Sequence, residues 1–539
     1  MSVPGSRQSD SLGRFLAMRA EATPDAAALI CEGRSWSYQA LDEESRRVAR
    51  GLADLGIGAG DRVALWLPNA PAWLALYFAC ARLGAIIVAV NTRFRSAEIA
   101  DILDRSGARL LVFWPSFGGA DFPATLAALD PAALCRLERI IAYGGGAAPT
   151  IPGKPVLAYE SLRAAASYEG DRGAGPVGSI IFTTSGTTKA PKFVLHDHYS
   201  VVSHARHVAR RFGYDAPGST ILQALPLCGV FGFAQAMAAI AAGAPLVMPA
   251  RFEAEESTRL IRRHAVTQFN GSDEMVARLL AACSEPVPFP TLRFCGFAAF
   301  NPGLGDIVET AEARGLRLVG LYGASEVQAL FALQPLDAPA ARRGLAGGVP
   351  VAEDYAVRIR DPESGRLLPA GESGEIELKG ASLMAGYFGN PEATASAITE
   401  DGWVRSGDLG RLTGDGGFVF ETRMGDVLRL GGYLVAPAEI EAHLQRHPAI
   451  DGCQVVGVTA GGRPAAVAFV TLRAGAAFDE ATLRQHCAEG LARFKVPERI
   501  LALDAFPTTP SANGTKIQRV KLRQMAAEAV AASSRPSPP

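Results

Sequence analysis

Hydrophobic and polar residues alternate along most of the chain in runs that predict short strands and longer helices. Apolar Val48, Leu52 and Leu55 are spaced by four and three residues, which is the period of a helix. Short apolar runs between such segments predict buried strands. The predicted helices are 45–55, 73–83 and 96–106, and the predicted strands are 62–67, 85–90 and 109–114. This alternation predicts an α/β fold with parallel-rich sheets covered by helices.

A different pattern begins near Arg423. Helices are predicted over 439–446 and 480–491 and strands over 454–458 and 465–472, which indicates a small α+β unit. Such a unit is large enough to fold independently. The sequence therefore predicts two domains, an N-terminal one over 1–422 and a C-terminal one over 423–539.

Composition narrows the class of protein. With 539 residues, of which 48% are hydrophobic and 20% charged, the chain can form several large cores. Its 53 basic and 54 acidic residues give a net charge of -1, which argues against general attraction to nucleic acid or anionic membranes. Any phosphate must therefore be held by local geometry.

Cysteine usage and the apolar segments indicate a cytoplasmic protein. The eight cysteines form no CxxC pair, so reduced thiols are expected. The N-terminal segment lacks the apolar core of a secretory signal. The segment 73–90 contains Arg82 and Gly84 and is interpreted as a buried helix followed by a strand rather than a membrane span.

A loop rich in hydroxyls follows the apolar strand 179–182. It supplies backbone N–H groups, side-chain O–H donors and positive charge, which are the groups that bind a polyphosphate. The spacing is not that of a P-loop. A simple Ser/Thr-rich turn is the alternative. The candidate phosphate-binding residues are Thr183, Thr184, Ser185, Gly186, Thr187, Thr188 and Lys192.

Two carboxylates stand at positions suited to a nucleotide site. Glu326 ends the run that begins at Tyr322, just past the strand 316–321, and its oxygens suit Mg²⁺. Asp408 suits the two ribose hydroxyls, with Arg423 as a nearby donor. The alternative for Asp408 and Arg423 is a surface turn with an ion pair.

Two further segments contain glycine near candidate functional positions. Gly431 and Gly432 form a pair shortly after Arg423, and Lys516 lies on a small glycine-containing loop near the C-terminus. A lysine on such a loop can act as a mobile point charge. A solvated surface lysine is the alternative.

Taken in chain order, these signals resemble the adenylate-forming superfamily, which includes acyl-CoA synthetases, aromatic acid–CoA ligases, luciferases and peptide-synthetase adenylation domains. The resemblance covers nearly the whole chain. It also includes the segments Trp36-Ser37-Tyr38, Gly60-Asp61-Arg62-Val63, Gly374-Glu375-Ile376 and Gly386-Tyr387.

The resemblance implies a large N-terminal domain, a hinge and a small mobile C-terminal lid. It implies that ATP, Mg²⁺ and coenzyme A are used to make a thioester through an acyl-adenylate. Residues 183–192 would surround the phosphates and Tyr322 would lie against adenine. Lys516 would bridge the carboxylate and the α-phosphate, and Gly431-Gly432 would border the pantetheine path after the lid rotates.

The chain departs from the family pattern at four places. Lys189-Ala190 stands in the phosphate loop where Gly is usual, and Gly425 stands at the hinge position. Phe297–Asn301 replaces the usual small residues beside adenine. Gly229 stands where many relatives have a histidine, so it either widens the acyl pocket or permits a turn with positive φ. The candidate substrate-pocket residues are Gly229, Phe231, Gly232 and Ala324.

The substrate and the final acceptor are less sharply indicated. The pocket segments are small and apolar, which favours a medium-to-long fatty acid, with an aromatic or alicyclic acid as the alternative. A stand-alone enzyme that loads a carrier protein is a further alternative. No acid occurs in 225–233, although Asp273 and Glu274 lie in a segment that is usually apolar. A luciferase-like oxygenase shares the first half-reaction. A non-enzymatic scaffold is disfavoured, because the chain retains four candidate charged residues, namely Glu326, Asp408, Arg423 and Lys516. Family members often form homodimers, so the resemblance leaves a monomer and a homodimer open.

Overall fold

The computed structural model describes residues 11–118, 122–130, 134–145, 151, 153–183, 192–300, 304–430, 433–435, 437–460, 463–491, 493–511 and 514–533. Several predicted site residues lie outside these ranges, namely Thr184, Ser185, Gly186, Thr187, Thr188, Gly431 and Gly432. Lys516 is described by its backbone alone.

Helices run through both parts of the chain. They are α1 (Leu12–Ala22), α2 (Tyr38–Asp54), α3 (Pro71–Leu83), α4 (Ser96–Ser106), α5 (Phe122–Ala127), α6 (Tyr159–Arg163), α7 (His198–Arg211), α8 (Val230–Ala242), α9 (Ala254–Arg263), α10 (Asp273–Ala281), α11 (Ile307–Glu312), α12 (Ala340–Arg343), α13 (Pro391–Ala397), α14 (Pro437–Leu444), α15 (Glu480–Gly490) and α16 (Arg519–Ser533).

Strands alternate with these helices. They are β1 (Ala27–Cys31), β2 (Arg34–Ser37), β3 (Arg62–Trp66), β4 (Ile86–Ala89), β5 (Leu110–Phe113), β6 (Arg139–Ala142), β7 (Val156–Ala158), β8 (Gly178–Thr183), β9 (Phe193–Asp197), β10 (Ile221–Leu222), β11 (Leu246–Val247), β12 (Gln268–Ser272), β13 (Phe294–Ala298), β14 (Leu318–Tyr322), β15 (Ala332–Leu333), β16 (Gly347–Pro350), β17 (Ala356–Arg360), β18 (Leu367–Leu368), β19 (Gly374–Lys379), β20 (Gly386–Tyr387), β21 (Val404–Leu412), β22 (Phe418–Arg423), β23 (Leu428–Leu430), β24 (Tyr433–Val435), β25 (Ile450–Ala460), β26 (Arg463–Leu472), β27 (Arg499–Ala502), β28 (Thr508–Ser511) and β29 (Gly514–Ile517).

Two large sheets form the N-terminal part. The eight-stranded sheet has the order β20-β9-β8-β4-β3-β5-β6-β7, parallel from β8 to β7, with β9 and β20 added antiparallel. The second sheet has fourteen strands in the order β18-β17-β19-β21-β22-β16-β15-β14-β13-β12-β10-β11-β1-β2, and its run from β14 to β1 is parallel. The predicted α/β class with parallel-rich sheets is confirmed.

The largest hydrophobic core lies between these sheets. It joins side chains of α3 and α8 to strands of both sheets, and every residue of α3 is buried. A helix that is apolar on all sides is stable in water only when protein surrounds it, so the composition of α3 accounts for its place. The interpretation of 73–90 as a buried helix and strand is therefore confirmed. None of the described helices is both long and apolar enough to cross a bilayer.

The chain after Arg423 has hydrophobic cores of its own. One joins α14, α15 and one face of the sheet β25-β26-β27, and a second joins the other face to α16. Arg519 and Arg523 on α16 pair with Asp426, and Arg519 also pairs with Glu441, so the last helix is tied to the first residues of this part. The predicted boundary between 422 and 423 stays a prediction.

Candidate active site

Tyr322, Asp408 and Arg423 form a cluster on the fourteen-stranded sheet. Tyr322 ends β14, and Asp408 on β21 is the register partner of Arg423 on β22. The Tyr322 hydroxyl donates to Oδ2 of Asp408 over 2.6 Å, and Nε of Arg423 lies 3.0 Å from Oδ1. The Asp408 side chain is only 4% exposed, whereas that of Arg423 is 60% exposed. The carboxylate of this ion pair is therefore buried, whereas its guanidinium lies at the surface.

The electrostatics of this cluster follow from its burial. Burial raises the pKa of Asp408, and the neighbouring Arg423 and the Tyr322 hydroxyl partly offset the shift. Burial and the same carboxylate raise the pKa of Tyr322 well above its usual range, so its hydroxyl stays protonated and donates. Oδ1 of Asp408 is buried and accepts no hydrogen bond from any described residue, despite the nearby guanidinium. A vicinal diol could donate to this oxygen.

Glu326 follows Tyr322 at the junction of the two large sheets. It lies in the 3-10 segment Ser325–Val327, and its Oε1 accepts a hydrogen bond of 2.8 Å from the hydroxyl of Tyr387 on β20. Lys192 donates to the same hydroxyl over 3.4 Å, and its Nζ lies 4.5 Å from the centre of the tyrosine ring. Burial and Glu326 together raise the pKa of Tyr387. The hydroxyl of Tyr387 thus links the ammonium group of Lys192 to the carboxylate of Glu326.

The two clusters belong to one electrostatic site. The charge of Glu326 contributes to the raised pKa of Asp408, and Arg423 acts on both tyrosines. Thr183 ends β8, so the chain enters the predicted phosphate loop from the other large sheet. The carboxyl ends of β8 and β14 are where α/β folds bind ligands.

The residues at this site fit a Mg²⁺ ion that binds together with the phosphates of a nucleotide. Among the described residues, no group of three or more His, Cys, Asp or Glu side chains is arranged to hold a metal. Mg²⁺ usually takes one or two protein carboxylates and fills its shell with water and substrate phosphates. The carboxylate of Glu326 is of the kind that such an ion binds.

The turn after Glu326 has an unusual backbone. Gln328, Ala329 and Leu330 all have positive φ, at 61°, 51° and 41°. Left-handed conformations cost an L-residue about 1–2 kcal/mol each, so the surrounding contacts must hold this turn. Gly323 allows the turn to pack closely, because a Cβ there would lie 2.5 Å from the Cα of Ala329.

Two buried histidines hold this turn, and sequence reasoning did not identify them. Nε2 of His196 on β9 lies 2.7 Å from the carbonyl oxygen of Ser325, and Nε2 of His204 on α7 lies 3.0 Å from that of Ala329. Burial lowers the pKa of His196 to about 4 and that of His204 to about 3, so both are neutral at pH 7. The signal in the sequence that could have identified them is their place next to apolar residues, since His196 follows the run 193–195 and His204 lies close after Val201 and Val202.

Asp273 is committed to the backbone of the predicted adenine segment. It is buried at the start of α10, where its Oδ2 accepts from the amide of Phe300 over 2.9 Å and its Oδ1 from the amide of Glu274 over 2.8 Å. This carboxylate therefore holds the end of the segment 297–300 at the start of α10. Asn301 lies outside the described residues.

The predicted substrate-pocket residues surround the start of α8 and the end of β14. Gly229 caps α8 with φ -100° and ψ 138°, so the reading that it needs a positive φ is wrong. Phe231 is buried. A Cβ on Gly232 would lie 2.4 Å from the carbonyl oxygen of Pro226, so Gly232 allows α8 to pack on the preceding loop. Ala324 is half-buried and extended, between Tyr322 and Glu326.

The chain belongs to the AMP-binding enzyme family. Residues 16–388 match the AMP-binding enzyme domain, and residues 439–513 match the AMP-binding enzyme C-terminal domain. The resemblance inferred from the motifs is confirmed, and so is the prediction of an enzyme of the acid–CoA ligase type that uses ATP, Mg²⁺ and coenzyme A.

Curated relatives and solved structures agree with this assignment. The sulfoacetate–CoA ligase of Cupriavidus necator is 32% identical over 95% of this chain and 97% of its own. The 2-succinylbenzoate–CoA ligase of Geobacillus kaustophilus is 31% identical over 96% of this chain and 98% of its own. An anthranilate CoA ligase solved with anthranoyl-AMP is 26% identical, with a TM-score of 0.79 over 97% of this chain and 98% of its own.

Proposed function

We propose that this acid–CoA ligase activates a compact carboxylic acid, with an aromatic or alicyclic ring as the first candidate. The carboxylate would attack the α-phosphorus of ATP to give an acyl-adenylate and pyrophosphate. The thiol of coenzyme A would then displace AMP from the acyl carbon, giving the thioester and releasing the thiol proton.

The unsatisfied Oδ1 of Asp408 is the observation that supports the nucleotide site most directly. Its buried position beside Tyr322 suits two ribose hydroxyls, with the tyrosine ring against adenine. Arg423, on the paired strand, would donate to the ribose from the solvent side. Glu326 would bind the Mg²⁺ that neutralises phosphate charge, and 183–192 with Lys192 would surround the phosphates.

Lys516 is proposed to act in the first half-reaction. A carboxylate and a phosphate repel each other, so their approach requires concentrated positive charge. The backbone of Lys516 lies on the β28–β29 hairpin, where it pairs with Thr509. Gly431 and Gly432 are proposed to border the pantetheine path, which needs close approach to backbone.

A block of aromatic side chains supports a pocket of limited depth. Phe233 on α8 packs against Tyr77, Phe182 and Trp73, with ring centres 5.1, 5.3 and 6.0 Å apart, and all four are buried. A long chain passing this face of α8 would have to displace close-packed rings. The relatives named for 2-succinylbenzoate and anthranilate act on ring-bearing acids, and none of those above is named for a fatty acid. A medium-to-long fatty acid, which the apolar pocket segments favour, is therefore less well supported than a ring-bearing acid.

Loading of an amino acid onto a carrier protein is less well supported. An amino-acid pocket needs an acid that faces the substrate amine. Asp273, which lies in a predicted pocket segment, already accepts hydrogen bonds from two backbone amides.

A panel of acids tests the proposal. Purified enzyme with ATP, Mg²⁺ and coenzyme A is given benzoate, anthranilate, 4-coumarate, 2-succinylbenzoate, cyclohexanecarboxylate, sulfoacetate, octanoate and palmitate. Acyl-CoA and AMP are measured by mass spectrometry, and kcat/KM is compared. We expect the highest kcat/KM among the ring-bearing acids. Preference for palmitate would contradict the substrate proposal, and AMP without any thioester would contradict coenzyme A as acceptor.

A further inference from the structure

Two histidines from one strand–helix unit hold the backbone on either side of Glu326. His196 lies on β9 and His204 on α7, which follows β9 directly. Their Nε2 atoms lie 2.7 Å from the Ser325 carbonyl oxygen and 3.0 Å from the Ala329 carbonyl oxygen. Both side chains are fully buried.

The hydrogen-bond partners fix the tautomer of each ring. A carbonyl oxygen only accepts, so Nε2 carries the proton in both histidines. In His204 this leaves Nδ1 as an acceptor, and the hydroxyl of Tyr355 lies 3.0 Å away and donates to it. The His204 and Tyr355 rings are also nearly parallel, at 5°. His204 is therefore held in one orientation by a partner at each nitrogen.

The backbone that these histidines hold would not adopt its shape unaided. Gln328, Ala329 and Leu330 are three successive non-glycine residues in the left-handed region. Such residues persist where the surrounding structure fixes them, and they are concentrated at functional sites. The amide of Met384 also donates to the carbonyl oxygen of Glu326, at 2.8 Å, so the turn is restrained on several sides.

We infer that His196 and His204 are positioning residues for Glu326, which set the direction in which its carboxylate is presented to the metal–nucleotide complex. The inference rests on the proposed role of Glu326. Groups that orient a metal ligand without touching the metal commonly change metal affinity or activity 10–100-fold when they are removed. The alternative is that the two histidines only fill space in the core.

Matched substitutions separate these roles. In His196→Gln and His204→Gln the amide nitrogen occupies a place close to that of Nε2 and keeps a donor for the carbonyl, whereas His196→Leu and His204→Leu remove it. His198→Leu is the control, since His198 is also buried beside β9 but accepts from the amide of Leu12 near the N-terminus.

Three measurements are made on each full-length variant. Hydrogen exchange of the 324–331 amides is followed without substrates. The Mg²⁺ dependence of acyl-adenylate formation is measured, and so is thioester formation from supplied acyl-adenylate. For the leucine variants we expect faster exchange and a rise of about tenfold or more in the Mg²⁺ concentration for half-maximal rate, with the second half-reaction unchanged. The glutamine variants should stay within about threefold of wild type, and His198→Leu should change only thermal stability.

Leucine variants that melt earlier but keep wild-type exchange at 324–331 and wild-type Mg²⁺ dependence would overturn the inference. So would glutamine variants as impaired as the leucine ones, because the donor would then not be the reason. If the leucine variants do not fold, Tyr355→Phe removes the donor to Nδ1 of His204 at nearly constant volume, and a several-fold weaker Mg²⁺ response is expected. Unchanged exchange and Mg²⁺ response in Tyr355→Phe would overturn the inference as well.

A separate variant, Glu326→Gln, tests the proposed role of Glu326 itself. Glu326→Gln should weaken the Mg²⁺ response while leaving the exchange of 324–331 slow. If Glu326→Gln leaves the Mg²⁺ response unchanged, the role assigned to Glu326 is wrong, whereas the exchange data still report whether the histidines hold the turn.

Discussion

The hydroxyl of Tyr322 donates to Oδ2 of Asp408 over 2.6 Å, although the two residues are 86 positions apart. This bond joins the end of β14 to the middle of β21 and occupies one carboxylate oxygen. The other oxygen, Oδ1, is thereby left facing Arg423 without an aligned donor among the described residues. One buried carboxylate is thus held in place by the protein and still has acceptor capacity for a ligand.

Asp408→Asn should weaken ATP binding. The amide removes the negative charge and replaces one acceptor with a donor, and hydrogen bonds to charged groups contribute about 1.5–3 kcal/mol, so Kd for ATP should rise about 10–100-fold. Because burial raises the pKa of Asp408, its ionised form is costly in the folded state, so thermal stability should be unchanged or higher. Calorimetric titration with ATP measures the effect. Asp415→Asn is the control, because Asp415 is an exposed carboxylate that forms an ion pair with Arg342. Equal ATP affinity in both variants would refute the ribose assignment.

Lys516→Ala should block adenylate formation selectively. Loss of a charge-stabilising group commonly costs about 10²–10³ in rate, because the carboxylate and α-phosphate charges then remain unneutralised. ATP–pyrophosphate exchange should fall by that factor, whereas thioester formation from supplied acyl-adenylate should persist. Lys521→Ala, at an exposed position on the following helix α16, should affect neither reaction. Equal loss of both half-reactions in Lys516→Ala would show that its role is not confined to adenylation.

Gly229→His should fold normally and select against bulky acids. At φ -100° a histidine is accommodated without backbone strain, so its side chain should occupy space near the acyl group. We expect kcat/KM to fall for ring-bearing acids and to change little for acetate. Gly232→Ala is the contrasting variant, since its Cβ would meet the Pro226 carbonyl oxygen at 2.4 Å. That variant should lose stability and lower the rate for every acid alike. A uniform loss in Gly229→His would exclude it from the pocket.

His198 should make stability depend on pH. Burial lowers its pKa from 6.5 to about 4, so below pH 6.5 the unfolded chain binds a proton that the folded protein excludes. The free energy of unfolding is therefore not reduced by His198 above pH 6.5, and it falls as the pH decreases from 6.5 towards 4. The loss between pH 7 and pH 5 should be about 2 kcal/mol. His198→Asn, which keeps an acceptor for the amide of Leu12, should lose less stability over that interval. Urea denaturation at pH 7 and pH 5 measures the difference. Parallel losses in variant and wild type would contradict the prediction.

The local pattern predicted elements better than their ends. The helix predicted at 45–55 begins at Tyr38, because the Ser37 side chain accepts from the Ala40 amide and starts the helix earlier than the apolar spacing suggests. The helix α16 was not predicted. Most of its apolar residues are alanines, and only the structure shows that Leu522, Ala526 and Val530 pack against one face of the sheet β25-β26-β27.

The sequence by itself determined the family, the α/β class and the candidate chemistry, because these depend on residue types at short spacing along the chain. A run such as Thr183–Lys192 or Tyr322–Glu326 keeps its character wherever the fold places it. The roles of these residues stay predictions.

Only the tertiary structure decided which side chains meet. Tyr387 reaches Glu326, and His196 reaches Ser325, because β20 and β9 lie together at the edge of one sheet beside the end of β14 in the other. Strand order is set by packing of whole elements rather than by the local period of hydrophobic residues, so no segment of sequence contains these contacts. The buried charge of Asp408 has the same origin, since a carboxylate in a polar stretch becomes buried only when distant strands close around it.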